Sequence, residues 1–348
     1  MRFLILCCIL ILFTGAGSNP DFSKFQVNGT AQGTTYQITY FAADSLVTKK
    51  QIDSILNKID SSLSLYKPYS LINQFNNSKD GLEVDEHFEK VVKKAQQVYK
   101  NTNGLFDITV EPLTTVWGFG PTKTATIPDS TIIKNILPCV NSNLLYWEGL
   151  SAGRQGKKLM KKKPCVKIDA NGIAQGYSVD VLADFFEQSG IQNYLIELGG
   201  EIRIKGRKPG GQKMSVGVEA PGIPSWEGQG WVDPEFSLIQ KVVWADNGAI
   251  TTSGNYRRYY ESKGKKISHL LNPKTGYSLQ NELISVTVYA KDAITADGYD
   301  NAIMAMGLKK GLAFVEKNKG IAAYFIYRKK DGTVVDTMSK RFRVLLQH

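Results

Sequence analysis

The segment Ala296-Asp297-Gly298-Tyr299-Asp300-Asn301 places two carboxylates and an amide close together. On a helix, Asp297 and Asn301 share one face, and Asp300 lies three residues from Asp297. Oxygen donors on one helical turn suit a hard dication such as Mg2+ or Ca2+. Acids favoured by a helix N-terminus are the competing explanation. A second segment, Ile168-Asp169-Ala170-Asn171-Gly172-Ile173-Ala174-Gln175-Gly176-Tyr177, leads from an expected strand into an expected helix. A glycine-bearing helix N-terminus offers backbone N–H groups to a phosphate, although glycines also serve plain turns. The hydroxyls of Thr251-Thr252-Ser253, followed by Gly254, suit phosphate or ribose, and suit a capped turn equally well. His269, ahead of Asn272-Pro273-Lys274-Thr275-Gly276, can carry a proton near neutral pH.

Hydrophobic periodicity supplies the elements that position these groups. Val27 to Tyr40 reads as strand broken near Gly33. Helices are expected over Lys50–Leu63 and Asp85–Thr102, the second ending at Gly104. Cys165–Ile168 is expected to be a strand and Ile173–Gln188 a helix. Strands are expected at Tyr194–Leu198 and Ile202–Ile204, flanking Gly199-Gly200. Ser285–Ala290 reads as strand, then a helix from Ala293 to Met306 stops at Gly307. Ile321–Tyr327 and Phe342–Leu346 read as closing strands. The basic run at 157–163 is expected to be a solvated loop. Strands and helices do not alternate strictly, which favours an α+β fold with mixed sheets over a doubly wound parallel sheet.

The 348 residues suffice for about two domains or lobes. With 42% apolar and 22% charged residues, the chain is neither disordered, collagen-like nor a coiled coil. The net charge of +11 fits a nucleic acid, an anionic membrane surface or a phosphorylated ligand, or simply a basic surface. Four cysteines without a Cys-x-x-Cys pair, and three histidines, exclude most zinc architectures. Met1-Arg2, the apolar run Phe3–Phe13 and the small residues up to Ser18 have the pattern of an export signal over residues 1–18. Residues 19–348 are then one domain of two lobes. Cys7 and Cys8 raise the question of a lipid anchor, but they fall inside the apolar run. Export leaves Cys139 and Cys165 in an oxidising compartment, paired or as two buried thiols.

Taken in order, these segments, with Gly104-Leu105-Phe106-Asp107 and Trp117-Gly118-Phe119-Gly120, resemble the ApbE family from about Gly29 to past Gly307. The resemblance implies a two-lobed α+β architecture related to the T-fold, with FAD bound between the lobes. It implies Mg2+- or Mn2+-dependent transfer of FMN from FAD to a threonine hydroxyl of an acceptor protein, through a phosphoester, with release of AMP. It also implies a periplasmic setting near the membrane surface. The acceptors would be proteins such as subunits of a sodium-pumping quinone reductase or a related electron-transfer complex, and not a nucleic acid. An FAD pyrophosphatase and a non-catalytic FAD-binding protein are the alternatives.

Position by position, the resemblance assigns FAD contacts to Gln32, Tyr66, Leu105, Phe106, Asp107, Asp169, Gln175, Thr252 and Ser253. It assigns the metal to the Gly172 carbonyl, Asp297 and Asn301. His269 is the expected general base, with Asp300 the second candidate. The chain departs from the family at Gln32, where methionine is usual, and at Gln175, where lysine or glutamate is usual. It departs again at Asn272, where aspartate is usual, and at Asn301, where threonine is usual.

Overall fold

The computed structural model describes residues 22–123, 126–149, 157–220, 239–256, 259–262 and 265–347. The expected export signal lies outside these residues. No helix among them is long and apolar enough to cross a membrane.

The chain opens with strands β1 (Ser23–Ala31) and β2 (Thr34–Ala42), then helices α1 (Lys49–Leu63) and α2 (Leu71–Asn77). β3 (Gly81–Val84), α3 (Glu86–Asn101), α4 (Glu111–Val116) and α5 (Ser130–Ile136) follow. Next come β4 (Leu145–Gly149), β5 (Lys157–Lys161), α6 (Ala174–Gln188), β6 (Asn193–Leu198) and β7 (Glu201–Lys205). β8 (Met214–Glu219), β9 (Ile239–Ala245), β10 (Asn247–Gly254), β11 (Tyr259–Ser262) and β12 (Lys265–Ser268) lead to β13 (Leu283–Ala290). The chain closes with α7 (Ala293–Lys317), β14 (Ile321–Arg328), β15 (Val334–Met338) and α8 (Lys340–Val344).

Eight strands form one sheet in the order β1-β2-β6-β7-β10-β13-β14-β15. The α+β class expected from the sequence is present. Where mixed pairing was expected, every ladder among the described residues is antiparallel. Alternation along the strands sorts side chains to two faces. Ile38, Ile196 and Leu198 pack under α1 and α6, against Leu56, Leu182 and Phe186. Val286, Val288 and Phe325 pack under α7, in a core that continues through α3 to the small sheet β3-β5-β4. Ile204, Ile250 and Tyr324 face the other way, onto the β8–β9 hairpin and Phe342 of α8. The result is helices over sheet over hairpin.

Gly199 and Gly200, at φ +67° and +109°, make the tight β6–β7 turn. These backbone angles disfavour any residue with a Cβ. Gly307, at φ +72°, breaks α7 where the sequence predicts its end, but a second helical stretch runs on to Lys317. The break is clamped: Asn281 Nδ2 donates to Met304 O at 2.7 Å, and Leu308 N donates to Glu282 Oε1 at 2.8 Å.

Three expectations are corrected. The basic run at 157–163 is not a solvated loop; it contains β5, the middle strand of the small sheet. Lys161 is buried there. Its ammonium donates to the carbonyls of Phe75 and Val166 at 3.0 Å and of Asn76 at 3.4 Å, and it sits over the Phe75 ring. Burial pushes this lysine's pKa down to about 8. Residues 165–168 form no strand. The Ile168 amide and carbonyl are satisfied by the Asn76 side chain, at 2.7 and 2.9 Å, rather than by a ladder. Residues 340–344 form helix α8, not a strand, because Ser339 caps its first turn through Phe342 N.

Cys139 and Cys165 are paired, with Cα atoms 5.7 Å apart. The bridge closes a segment with a sequence separation of 26 residues. Constraining a loop of that size in the unfolded chain is worth about 3.5 kcal/mol. Cys139→Ser/Cys165→Ser should therefore lower the unfolding free energy by ~2–4 kcal/mol in a urea titration. Coincident midpoints for the oxidised protein and the double variant would contradict this.

Candidate active site

The N-terminal turn of α6 is the hub of the site. Gly172 precedes it, and a Cβ built there would lie 3.3 Å from Asn301 Nδ2 and 3.5 Å from the Phe106 ring. Gly176 N donates to Asp297 Oδ2 at 2.9 Å. Gln175 Nε2 would lie 2.9 Å from a Cβ on Gly199, so its amide rests on the β6–β7 turn. One turn on, Gln32 Nε2 donates to Ser178 Oγ at 2.8 Å. Gln32 occupies the β1–β2 turn at φ +53°, on the edge of the sheet that α6 covers.

α7 brings Asp297, Asp300 and Asn301 to the same place. Asp297 and Asp300 are buried. Asn301 Nδ2 donates to three oxygens: Asp300 Oδ1 at 2.9 Å, the Asp297 carbonyl at 3.1 Å and the Gly172 carbonyl at 3.3 Å. Ser253 Oγ donates to Asn301 Oδ1 at 3.2 Å, and Thr251 Oγ1 donates to Asp300 Oδ2 at 2.7 Å. Burial raises the pKa of both carboxylates above the usual range. For Asp300 the neighbouring Asp297 adds to the rise, while the Gly176 N–H partly offsets it for Asp297. Two buried acids this close are costly unless a cation or protons join them.

The donor set fits a hard dication. The Asn301 amide nitrogen sits where oxygens of three residues converge, as a positive group would. All candidate ligands are oxygen, from carboxylate, carbonyl, amide or hydroxyl. No cluster of three His, Cys, Asp or Glu able to hold a metal lies among the described residues.

The remaining expected residues are placed less uniformly. The Phe106 ring lies against Gly172, and Leu105 precedes it, half-buried. Asp107 is buried, and its carboxylate is taken up by Thr109 N and Oγ1 and by Ser142 N and Oγ, at 2.6–3.1 Å. It staples the loop behind Phe106. Asp169 accepts from Thr114 Oγ1 at 3.1 Å and from Asn171 N at 2.9 Å, fixing the turn that leads to Gly172. Tyr66 is exposed, on a turn braced by Asn73 Nδ2 donating to Leu65 O and Lys67 O. His269 follows β12 and packs edge-on against Phe119. Asn272 Oδ1 accepts from Lys274 N at 2.9 Å, a turn-closing role an aspartate would fill equally well.

Thr252 departs from expectation. Its hydroxyl bonds Thr287 across the β10–β13 pair, on the face opposite α7. Alternation instead turns Thr251 and Ser253 toward Asp300 and Asn301. Thr251, Gly176 and Asp180 join the site without being expected there from the sequence; for Gly176, a glycine inside a helical pattern is the available signal.

An antiparallel sheet covered by helices, with buried oxygens gathered beside a helix N-terminus, is an arrangement that can take a phosphate. Residues 32–325 match the ApbE family, and the chain belongs to it. Two curated relatives named FAD:protein FMN transferase, from Haemophilus influenzae and Vibrio cholerae, are each 33% identical. Those matches cover 93% and 94% of this chain and 92% and 93% of the relatives. The solved flavin transferase ApbE from Vibrio cholerae superposes with a TM-score of 0.79 at 31% identity, over 93% of this chain and 100% of that one. The apo flavinyl transferase ApbE from Pseudomonas stutzeri gives 0.80 at 32%, over 93% and 97%.

Proposed function

We propose that this chain, a flavin transferase by family and by its curated relatives, moves FMN from FAD onto a threonine hydroxyl of an acceptor protein, with Mg2+ or Mn2+. A phosphoester forms between the hydroxyl and the FMN phosphorus, the pyrophosphate bond breaks, and AMP leaves. The observation that carries this reading is the convergence of the Gly172 carbonyl, Asp297, Asp300 and Asn301 at the start of α6. These residues would hold the dication, which supplies neutralisation of the pyrophosphate charge.

The chain's own residues do the rest. α6 has no cap from its own N-cap residue and no acid in its first turn; Asp297 of α7 takes the Gly176 amide, and the helix dipole favours an anion beside it. Phe106 and Tyr66 provide ring faces for the flavin or adenine. His269 takes the proton from the attacking hydroxyl. Asp300 is the poorer base, since it is buried and already accepts from Thr251 and Asn301. We place the reaction outside the cytoplasm, near the membrane surface. The leader pattern and the Cys139–Cys165 bridge support that setting. An electron-transfer subunit is the acceptor we expect.

Mass spectrometry of a threonine-bearing acceptor after incubation with FAD, Mg2+ and the protein should show the mass of FMN less water. AMP released without acceptor modification would point to hydrolysis instead. Activity should vanish in excess chelator and return with Mg2+ or Mn2+. His269→Ala should slow transfer by about a hundredfold, the usual weight of a general base. A rate within about threefold of wild type would move the base elsewhere.

A further inference from the structure

The first amides of a helix lack partners within it, and α7 solves this in an unusual way. Thr295 N donates to Asp292 Oδ1 at 3.0 Å, and Ala296 N to the Asp292 carbonyl at 3.2 Å. Ala293 N and Ile294 N donate instead to Asp180 on α6, to Oδ1 at 2.9 Å and Oδ2 at 2.8 Å. The same carboxylate accepts from Arg203 Nε of β7 at 2.9 Å, with both side chains about one-sixth exposed (15% and 16%). Arg203 Nη1 reaches on to the Gly248 carbonyl of β10 at 3.1 Å.

Asp180 lies four residues after Gly176, and Asp297 four after Ala293. The two helices are thus joined by two rungs one turn apart: Gly176 to Asp297, and Asp180 to Ala293 and Ile294. α6, α7, β7 and β10 meet at this node, and α6, α7 and β10 each carry part of the site. Asp292 already caps α7 locally. A buried ion pair from another helix adds little to stability, because desolvation offsets its attraction. What it adds is a fixed height and rotation of α7 against α6. The geometry points to Asp180, backed by Arg203, as a positioning residue that sets Asp297 and Asn301 against the Gly172 carbonyl. This inference rests on the metal reading above.

The test uses the full protein with FAD and Mn2+, following free Mn2+ by electron paramagnetic resonance. Asp180→Asn keeps the shape and one acceptor but loses the second acceptor and the charge. It should weaken Mn2+ binding by about tenfold or more, the scale for groups that orient metal ligands. kcat should fall similarly at fixed Mg2+ and recover in part at high Mg2+, while FAD binding in chelator stays within about threefold. Asp180→Asn/Arg203→Met removes the orphaned cation. It should regain thermal stability without regaining metal affinity, and it provides the same readouts if the single variant does not fold. A lowered Tm with unchanged Mn2+ affinity and kcat would reduce Asp180 to a structural clamp and overturn the inference. Asp297→Ala in the same titration separates the two readings. If it too leaves Mn2+ binding unchanged, the metal reading falls and this one with it. If only Asp180→Asn is silent, this inference alone falls.

Discussion

Asp297→Ala should lower FMN transfer at least about a thousandfold, as when one group facing the charge of a transferring phosphoryl is removed. FAD affinity should stay within about tenfold, ~1.4 kcal/mol, because the ring contacts we propose, Tyr66 and Phe106, lie on other segments. Asp297→Asn is the sharper variant. Its amide oxygen can still accept the Gly176 N–H, so the α6–α7 rung survives while the charge goes. Without metal, Asp297 holds a carboxylate among buried groups, beside Asp300 and with Asp180 nearby, at a cost in stability. The metal-free Asn variant should therefore melt at or above the wild-type temperature; FAD should stabilise both, while adding Mg2+ to the FAD complex should raise the melting temperature of the wild type alone. A variant that keeps its transfer rate would show that Asp297 is not a ligand. One that melts lower without metal would show that its carboxylate is worth more to the fold than its burial costs.

The fold class and much of the site were legible because they rest on local periodicity. Asp297, Asp300 and Asn301 share a helix face by spacing alone, and Gly172 opens the next helix after a turn. What was not legible depends on pairing between distant segments. Thr251-Thr252-Ser253 lies in the strand between β7 and β13, where both faces are buried. No polar–apolar alternation says which hydroxyl faces α7, and only the register with β13 settles it in favour of Thr251 and Ser253. Lys161 hid inside a charge run, although Leu159 and Lys161 alternate with exposed or half-exposed neighbours as a strand should. Its three carbonyl partners come from Phe75, Asn76 and Val166, two of them more than eighty residues away. Residues 342–346 are a short apolar run, ambiguous between helix and strand by hydropathy. Ser339, the cap that decides it, precedes the run. The disulfide likewise needed coordinates, since Cα separation cannot be read from sequence.

Gly176→Ala should destabilise the protein by about 2 kcal/mol or more and cost at least about a hundredfold in transfer, against the usual sign for such a change. In an exposed helix interior, alanine is better than glycine by about 1 kcal/mol. Here the added Cβ would lie 2.5 Å from the Ala293 carbonyl oxygen, 2.7 Å from Asp297 Cβ and 2.8 Å from the Ala293 carbonyl carbon. Those atoms belong to α7, mostly to its backbone, and cannot swing aside as a flexible side chain would. The helices must part, and overpacking of that kind costs about 1–3 kcal/mol, sometimes more, which exceeds the propensity gain. Parting them lengthens the Gly176–Asp297 bond and lifts Asp297 and Asn301 away from the Gly172 carbonyl. Gly298→Ala is the internal control. Its Cβ would meet only methyl ends, Val98 Cγ2 at 3.1 Å and Ile173 Cδ1 at 3.3 Å, which can shift by a few tenths of an ångström. Its stability should stay within about 1 kcal/mol of wild type, with the helix gain set against modest crowding. Urea titrations of the two variants, with transfer rates measured well below each midpoint, separate the effects. Equal stability for both would mean that α6 and α7 are free to adjust at their crossing. A destabilised Gly176→Ala that still transfers FMN at the wild-type rate would mean that this crossing does not set the geometry of the site.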